Sequence, residues 1–113
     1  MENQLEFYDE SAKYRAKFQE ALPGVMAAHT AFSDEVYKDG ALSLKVKRLI
    51  ALAVALRAGC TGCIIAQTKR AVEAGATKDE VLEAVSVAIA MGGTPAIGWL
   101  WRVVKLLEEL GKW

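Results

Sequence analysis

Between Ser43 and Gly59 runs LKVKRLIALAVALRA, a stretch with no glycine, proline, asparagine or aspartate. It is built mostly of strong helix formers. Ser43 offers a side-chain acceptor for the first free amides, and Gly59 fits the position just past the last turn. Its second half is apolar on every face and is therefore predicted to be fully buried.

The rest of the chain reads as helices between clear stops. Leu5, Tyr8, Ala12 and Phe18, set among Glu2, Glu6, Lys13 and Lys17, give an amphipathic first helix ending near Leu22-Pro23-Gly24. A second is predicted from about Val25 to Tyr37, with Met26, Phe32 and Val36 inward, stopping at Lys38-Asp39-Gly40. After the third helix, Thr61 or Cys60 opens a fourth through Ala74, closed by Gly75. Thr77-Lys78-Asp79-Glu80 has the capping-box pattern and opens a fifth helix through VLEAVSVAIAM. Gly92-Gly93-Thr94-Pro95 ends it, and Pro95 starts a sixth carrying Trp99, Trp101, Val104 and Leu107. No segment alternates with period two for long enough to make a strand. The expected fold is an all-α single domain over residues 1–113, with about six helices, consecutive ones roughly antiparallel.

Composition narrows the function. The chain is 53% hydrophobic with 14 basic and 14 acidic residues, so no basic excess is available to neutralise phosphates, and nucleic acid is not an expected partner. The apolar excess points to burial between subunits. The N-terminal MENQLEFYDESAKYR has neither a basic nor an apolar signal region, and the longest apolar run, Leu49 to Leu56, is far short of a membrane span. The cytoplasm is the expected location and no membrane is an expected partner.

Both cysteines lie in AGCTGCIIAQ, two residues apart. At i and i+3 on a helix their Cβ atoms fall about 5–6 Å apart, close enough for a disulfide with little backbone movement. Gly59 ends one helix just before them, so they open the next. Free amides and the positive end of the helix dipole favour thiolate at the exposed cysteine. A low-pKa thiolate beside a second thiol suits attack on a peroxide or a disulfide. The competing reading is a pair of small buried hydrophobes. Zinc wants about four ligands, whereas one chain offers these thiols and His29, so neither a metal nor another cofactor is expected.

The residues Leu42-Ser43-Leu44-Lys45-Val46-Lys47-Arg48-Leu49-Ile50-Ala51-Leu52-Ala53, then Cys60-Thr61-Gly62-Cys63, Glu73-Ala74-Gly75-Ala76-Thr77, Glu80 and Ala90-Met91-Gly92-Gly93, resemble the carboxymuconolactone decarboxylase-like superfamily. Within it they are most similar to the AhpD-like alkylhydroperoxidase branch, over about residues 32 to 93. The resemblance implies an all-helical subunit in a homo-oligomer, often a trimer or hexamer. It also implies reduction of a hydroperoxide or disulfide substrate, with a thiol reductant as partner. It makes Cys63 the peroxidatic cysteine and Cys60 the resolving one.

The family's proton relay uses a Glu on the preceding helix and a His four residues after the second Cys. Here Arg48 and Gln67 stand at those positions, and neither is a general base near neutral pH. Cys60, Cys63 and Gln67 share one helical stripe. If the third and fourth helices form a hairpin, Arg48 meets Gln67 and adds positive potential near the thiols. The alternative is that Arg48 snorkels to solvent beside Lys45 and Lys47.

His29, the only histidine, is a second candidate base if the fold or a neighbouring subunit brings it to Cys63. Tyr37 and Trp99 read as packing residues, Glu73 and Glu83 as solvated ones. Trp99 and Trp101 cannot both face one core, so one of them is expected to meet another subunit. Two rival functions remain: an oligomeric binding or structural protein on this fold, and a carboxymuconolactone decarboxylase-type enzyme, whose chemistry does not need the cysteine pair.

Overall fold

The computed structural model describes residues 1–113 as six α-helices with no strand: α1 Gln4–Ala21, α2 Pro23–Val36, α3 Leu44–Ala58, α4 Thr61–Glu73, α5 Lys78–Gly92 and α6 Thr94–Glu109. The ends follow from local chemistry. Asn3, Ser43 and Thr77 each accept an amide hydrogen bond in the first turn of α1, α3 and α5, and Pro occupies the first turn of α2 and α6. The Thr77 capping box is complete: its hydroxyl accepts from the Glu80 amide at 3.1 Å, and the Glu80 carboxylate accepts from the Thr77 amide at 3.0 Å.

The core lies between α3, α4, α5 and α6. Leu52, Ala55 and Leu56 of α3 meet Ile64 and Ala71 of α4, Val81 and Val85 of α5, and Val103 and Leu107 of α6. Small residues such as Ala55, Ala71 and Ala88 let these helices approach closely. Helix α1 lies outside, against α4 and α6, and α2 packs on α1. The start of α1 is tied down by the far end of the chain: the Glu109 carboxylate accepts from the Gln4 and Leu5 amides at 2.8 and 2.9 Å, and buried Arg102 binds Glu2 and Gln4. A carboxylate at a helix N-terminus is favoured by the unpaired amides and the dipole together. No helix is long and apolar enough to cross a membrane.

Two expectations about burial fail. Helix α2 buries no residue: Phe32 is 69% exposed, Val36 is exposed, and Met26 is only partly covered. Amphipathic spacing shows which residues share a face, but not whether the chain supplies a surface for that face. Nor is the second half of α3 buried all round: Leu52, Ala55 and Leu56 are, whereas Val54 is 63% exposed and Ile50 faces outward. The core covers one side of α3 and leaves the other bare. Trp99 and Trp101 are both half-buried, flanking Arg102, whose guanidinium lies 5.3 and 4.5 Å from their ring centroids. Both rings are within reach of a cation–π contact with it.

Lys45 of α3 reaches Glu80 of α5 at 2.8 Å. That hydrogen bond, then the Thr77 amide, holds the Glu80 carboxyl below its ordinary range. The stability it contributes is therefore complete above the unfolded glutamate value of about 4.3 and is lost as pH falls through the lowered folded value. Urea midpoints should be higher for the native chain than for Glu80→Gln near neutral pH, with the gap closing in acid. A gap that stays constant with pH would assign the difference to packing rather than charge.

Candidate active site

The turn between α3 and α4 is made by Gly59 in the left-handed region, φ 69°, with its amide bonded back to α3. Its lack of a side chain matters twice. The backbone conformation suits glycine, and a Cβ here would lie 3.0 Å from Trp99 Nε1. This turn reverses the chain, so α4 runs back along α3 and opens with the cysteine pair.

Cys60 is the N-cap of α4, and its Sγ accepts the Cys63 amide at 3.3 Å. A sulfur thus takes the role usually held by a Ser or Asp oxygen. Cys60 and Cys63 are joined in a disulfide, their Cα atoms 5.2 Å apart. Cys60 is half-buried and Cys63 exposed. The sequence placed the helix-terminus field on the exposed cysteine, but the amide points at its partner. The thiol open to a substrate and the sulfur aligned with the amide are therefore different atoms of one pair.

A groove of about 670 Å³ ends at the pair. Val36 and Tyr37 line one side, Ile50, Ala51, Val54 and Ala58 the other, and Lys47 and Gln67 are its polar members besides the sulfurs and the phenol. Lys47 is already engaged, its ammonium donating to the Val36 and Lys38 carbonyls at 2.8 and 2.6 Å and so closing the C-terminus of α2. No carboxylate or imidazole lines the groove.

Arg48 does not snorkel to solvent. Its Nη1 donates to Gln67 Oε1 at 3.1 Å, and its guanidinium lies 3.5 Å from the Tyr37 ring centroid. Burial, then the nearby Arg70 charge, pushes this guanidinium below its ordinary value, while Tyr37 and Glu73 act in the other direction. It remains a cation near neutral pH. The structure thus brings together Cys60, Cys63, Gln67 and Arg48. His29 is exposed on α2 and is not among the groove's residues. Tyr37 and Lys47, which no sequence motif marks for this site, join it from either side of the α2–α3 loop. Their sole signal was adjacency to a helix end, which does not reveal what that end faces.

Comparison with known proteins agrees with this architecture. The model of the carboxymuconolactone decarboxylase family matches residues 23–106. An uncharacterised protein of Cupriavidus necator is 36% identical over 91 residues, 80% of each chain, and an uncharacterised protein of the Paracoccus denitrificans cox locus is 37% identical over 83 residues, 74% of this chain and 75% of the other. Among solved structures, the apo form of a carboxymuconolactone decarboxylase family protein from Legionella pneumophila superposes with a TM-score of 0.92 at 31% identity, covering 99% of this chain and 100% of that one. A family protein of Thermotoga maritima, for which a part in the antioxidative response has been suggested, gives 0.71 at 34% identity over 76% of this chain and 89% of that one. These matches and the helical architecture define the class. The chain belongs to the carboxymuconolactone decarboxylase family.

Two substitutions probe the geometry. Gly59→Ala forces a left-handed alanine against Trp99 and should cost on the order of 1–2 kcal/mol, read from urea unfolding; an unaltered midpoint would mean the turn relaxes freely. Arg48→Met keeps length and removes charge. The reduced protein should then react with iodoacetamide near neutral pH about two- to fivefold more slowly, through a smaller thiolate fraction. An equal rate would leave Arg48 only a structural tie between α3 and α4.

Proposed function

We propose that this chain is a thiol-dependent oxidoreductase of the AhpD-like kind, reducing a hydroperoxide or disulfide through Cys60 and Cys63. The single observation that carries the reading is the closed Cys60–Cys63 disulfide at an α-helix N-terminus, with its outer member exposed at the end of an apolar groove. A buried hydrophobic pair would have no reason for that exposure.

The chemistry runs as follows. In the reduced state Cys63, as thiolate, attacks the terminal peroxide oxygen. The O–O bond breaks, Cys63 becomes a sulfenic acid, and the alkoxide leaves and takes up a proton. The Cys60 thiol then displaces hydroxide from the sulfenic sulfur, and with its own proton this departs as water while the disulfide forms. An external dithiol restores both thiols by exchange and is itself oxidised. Roles for this chain's residues follow from placement. Cys60 stands one turn away with the Cys63 amide on its sulfur, the positive end of the α4 dipole favours negative charge on the pair, and Arg48 adds positive potential behind Gln67. The apolar walls exclude water and favour an alkyl over a bare peroxide. The antioxidative part suggested for the Thermotoga relative is in keeping with this reading, and a homo-oligomer working in the cytoplasm fits the bare apolar faces.

One observation favours a second reading. The groove holds neither the carboxylate nor the imidazole of the family relay, as a binding protein that has lost catalysis would also show. The test counts thiols before and after one equivalent of an alkyl hydroperoxide. Catalysis predicts loss of both thiols, recovery with dithiothreitol, and abolition of disulfide closure in Cys63→Ser. Thiols that stay free and unreactive near neutral pH would establish the binding protein instead.

A further inference from the structure

Helix α2 is hard to explain as part of an isolated chain. It has 14 residues and buries none of them. Helices this short are marginal in water, and packing of an apolar face normally holds them. Its exposed apolar side chains lie in one stripe: Val25, Phe32 and Val36 at i, i+7 and i+11. His29, at i+4, sits in the middle of that stripe and is exposed with it.

A matching bare strip runs along α3, where Val46, Ile50 and Val54 stand at successive i+4 positions, the last two lining the cysteine groove. The two strips have comparable lengths, about 16 Å for α2 and about 12 Å for α3. Their charges are complementary. Glu35 of α2 is already paired with Lys38, and Lys45 of α3 with Glu80, which leaves the acid Asp34 on α2 facing a basic α3 with Lys47, Arg48 and Arg57. The total surface agrees. A compact chain of 12.3 kDa exposes about 6100 Å². This one exposes 6847 Å², more than that, as expected of a chain whose α2 stands uncovered outside the core.

From these observations we infer that a second copy of this chain lays its α2 along α3, and that His29 of that copy supplies the proton acceptor which the groove lacks. The inference rests on the redox reading of the cysteine pair. A chain cannot do this for itself, because its own α2 is fixed on α1 and reaches the groove only with Val36 and Tyr37, two turns beyond His29. In the completed site the imidazole accepts the Cys63 thiol proton, leaving thiolate beside imidazolium. When a peroxide is attacked, the departing alkoxide takes that proton, so imidazole is regenerated.

The test uses subunit complementation, read by alkylation of reduced Cys63 with iodoacetamide near neutral pH and therefore without reliance on peroxidase turnover. Sedimentation should show an oligomer for the native chain and for His29→Ala. Alkylation of His29→Ala should be about tenfold slower, the gain from full ionisation being partly offset by the lower intrinsic reactivity of a more acidic thiol. When His29→Ala is co-expressed with a chain that keeps His29 but carries Cys60→Ser and Cys63→Ser, the rate at the remaining thiols should recover. If His29→Ala does not assemble, His29→Gln, which keeps the volume, enters the same comparison.

A native chain that is monomeric over the whole concentration range overturns the inference, and then an apolar ligand or a foreign partner covers the strips. So does an unchanged rate in the assembled His29 variant, or a slow rate that co-assembly fails to restore. Rescue of alkylation in a protein that leaves peroxide untouched would sink the redox function and spare the subunit arrangement; turnover without rescue would do the reverse.

Discussion

The reversal at Gly59 governs nearly everything near the sulfurs, because one left-handed residue decides both where α4 begins and along which side of α3 it returns. Had α3 continued, Cys60 would sit inside a helix with its neighbours' amides already bonded. Instead it stands at a fresh N-terminus, where the Cys63 amide has no backbone acceptor and turns to sulfur. The same reversal brings Gln67, two turns into α4, level with Arg48 in the first turns of α3. Trp99 fills the space left by the missing side chain, so α6 braces the turn from behind. The α4–α6 packing and the redox pair are thus coupled through one residue.

The Arg48–Gln67 contact ties α3 to α4 through two polar side chains, neither of which can take up a proton near neutral pH. They can still satisfy one another, and the Tyr37 ring covers the guanidinium face that Gln67 leaves open. Both polar groups therefore keep partners, and Arg48, which stands behind Gln67 and outside the groove lining, keeps its positive charge. What this pair does not provide is a place for the proton to go.

Much of this was legible in the sequence, for identifiable reasons. Helix ends were readable because Ser43, Gly59, the Thr77 capping box and Pro95 act locally. The Arg48–Gln67 contact was readable as well, because a short turn between two helices leaves little freedom in how they pair. Burial was not readable for α2 or for the outer side of α3. Phe32 and Val54 follow an inward-looking pattern, yet they face away from their own chain's core, and spacing within a helix carries no information about which surface will meet it. Tyr37 is a packing residue, as its type suggested, but that its ring packs on Arg48 at the groove was not readable from spacing. The direction of the helix-end amide toward Cys60 rather than Cys63 was decided by cap geometry finer than the motif itself.

Fixed charge and dielectric set the terms for the rest. The groove walls are mostly aliphatic, and where they stand in place of water the field of a backbone amide or a guanidinium is weakened less than in open solvent. The same walls penalise a thiolate lying against them, since a charge loses solvation there. Stabilisation and penalty come from the same walls, and the balance depends on how exposed the reacting sulfur is. Cys63 is at the rim and Cys60 is set deeper with the amide on it. Charge on the outer sulfur keeps some hydration, and charge on the inner one is held by the helix end. Exposure and the amide contact are thus divided between two sulfurs one turn apart, so that neither sulfur alone meets both the solvent and the helix end.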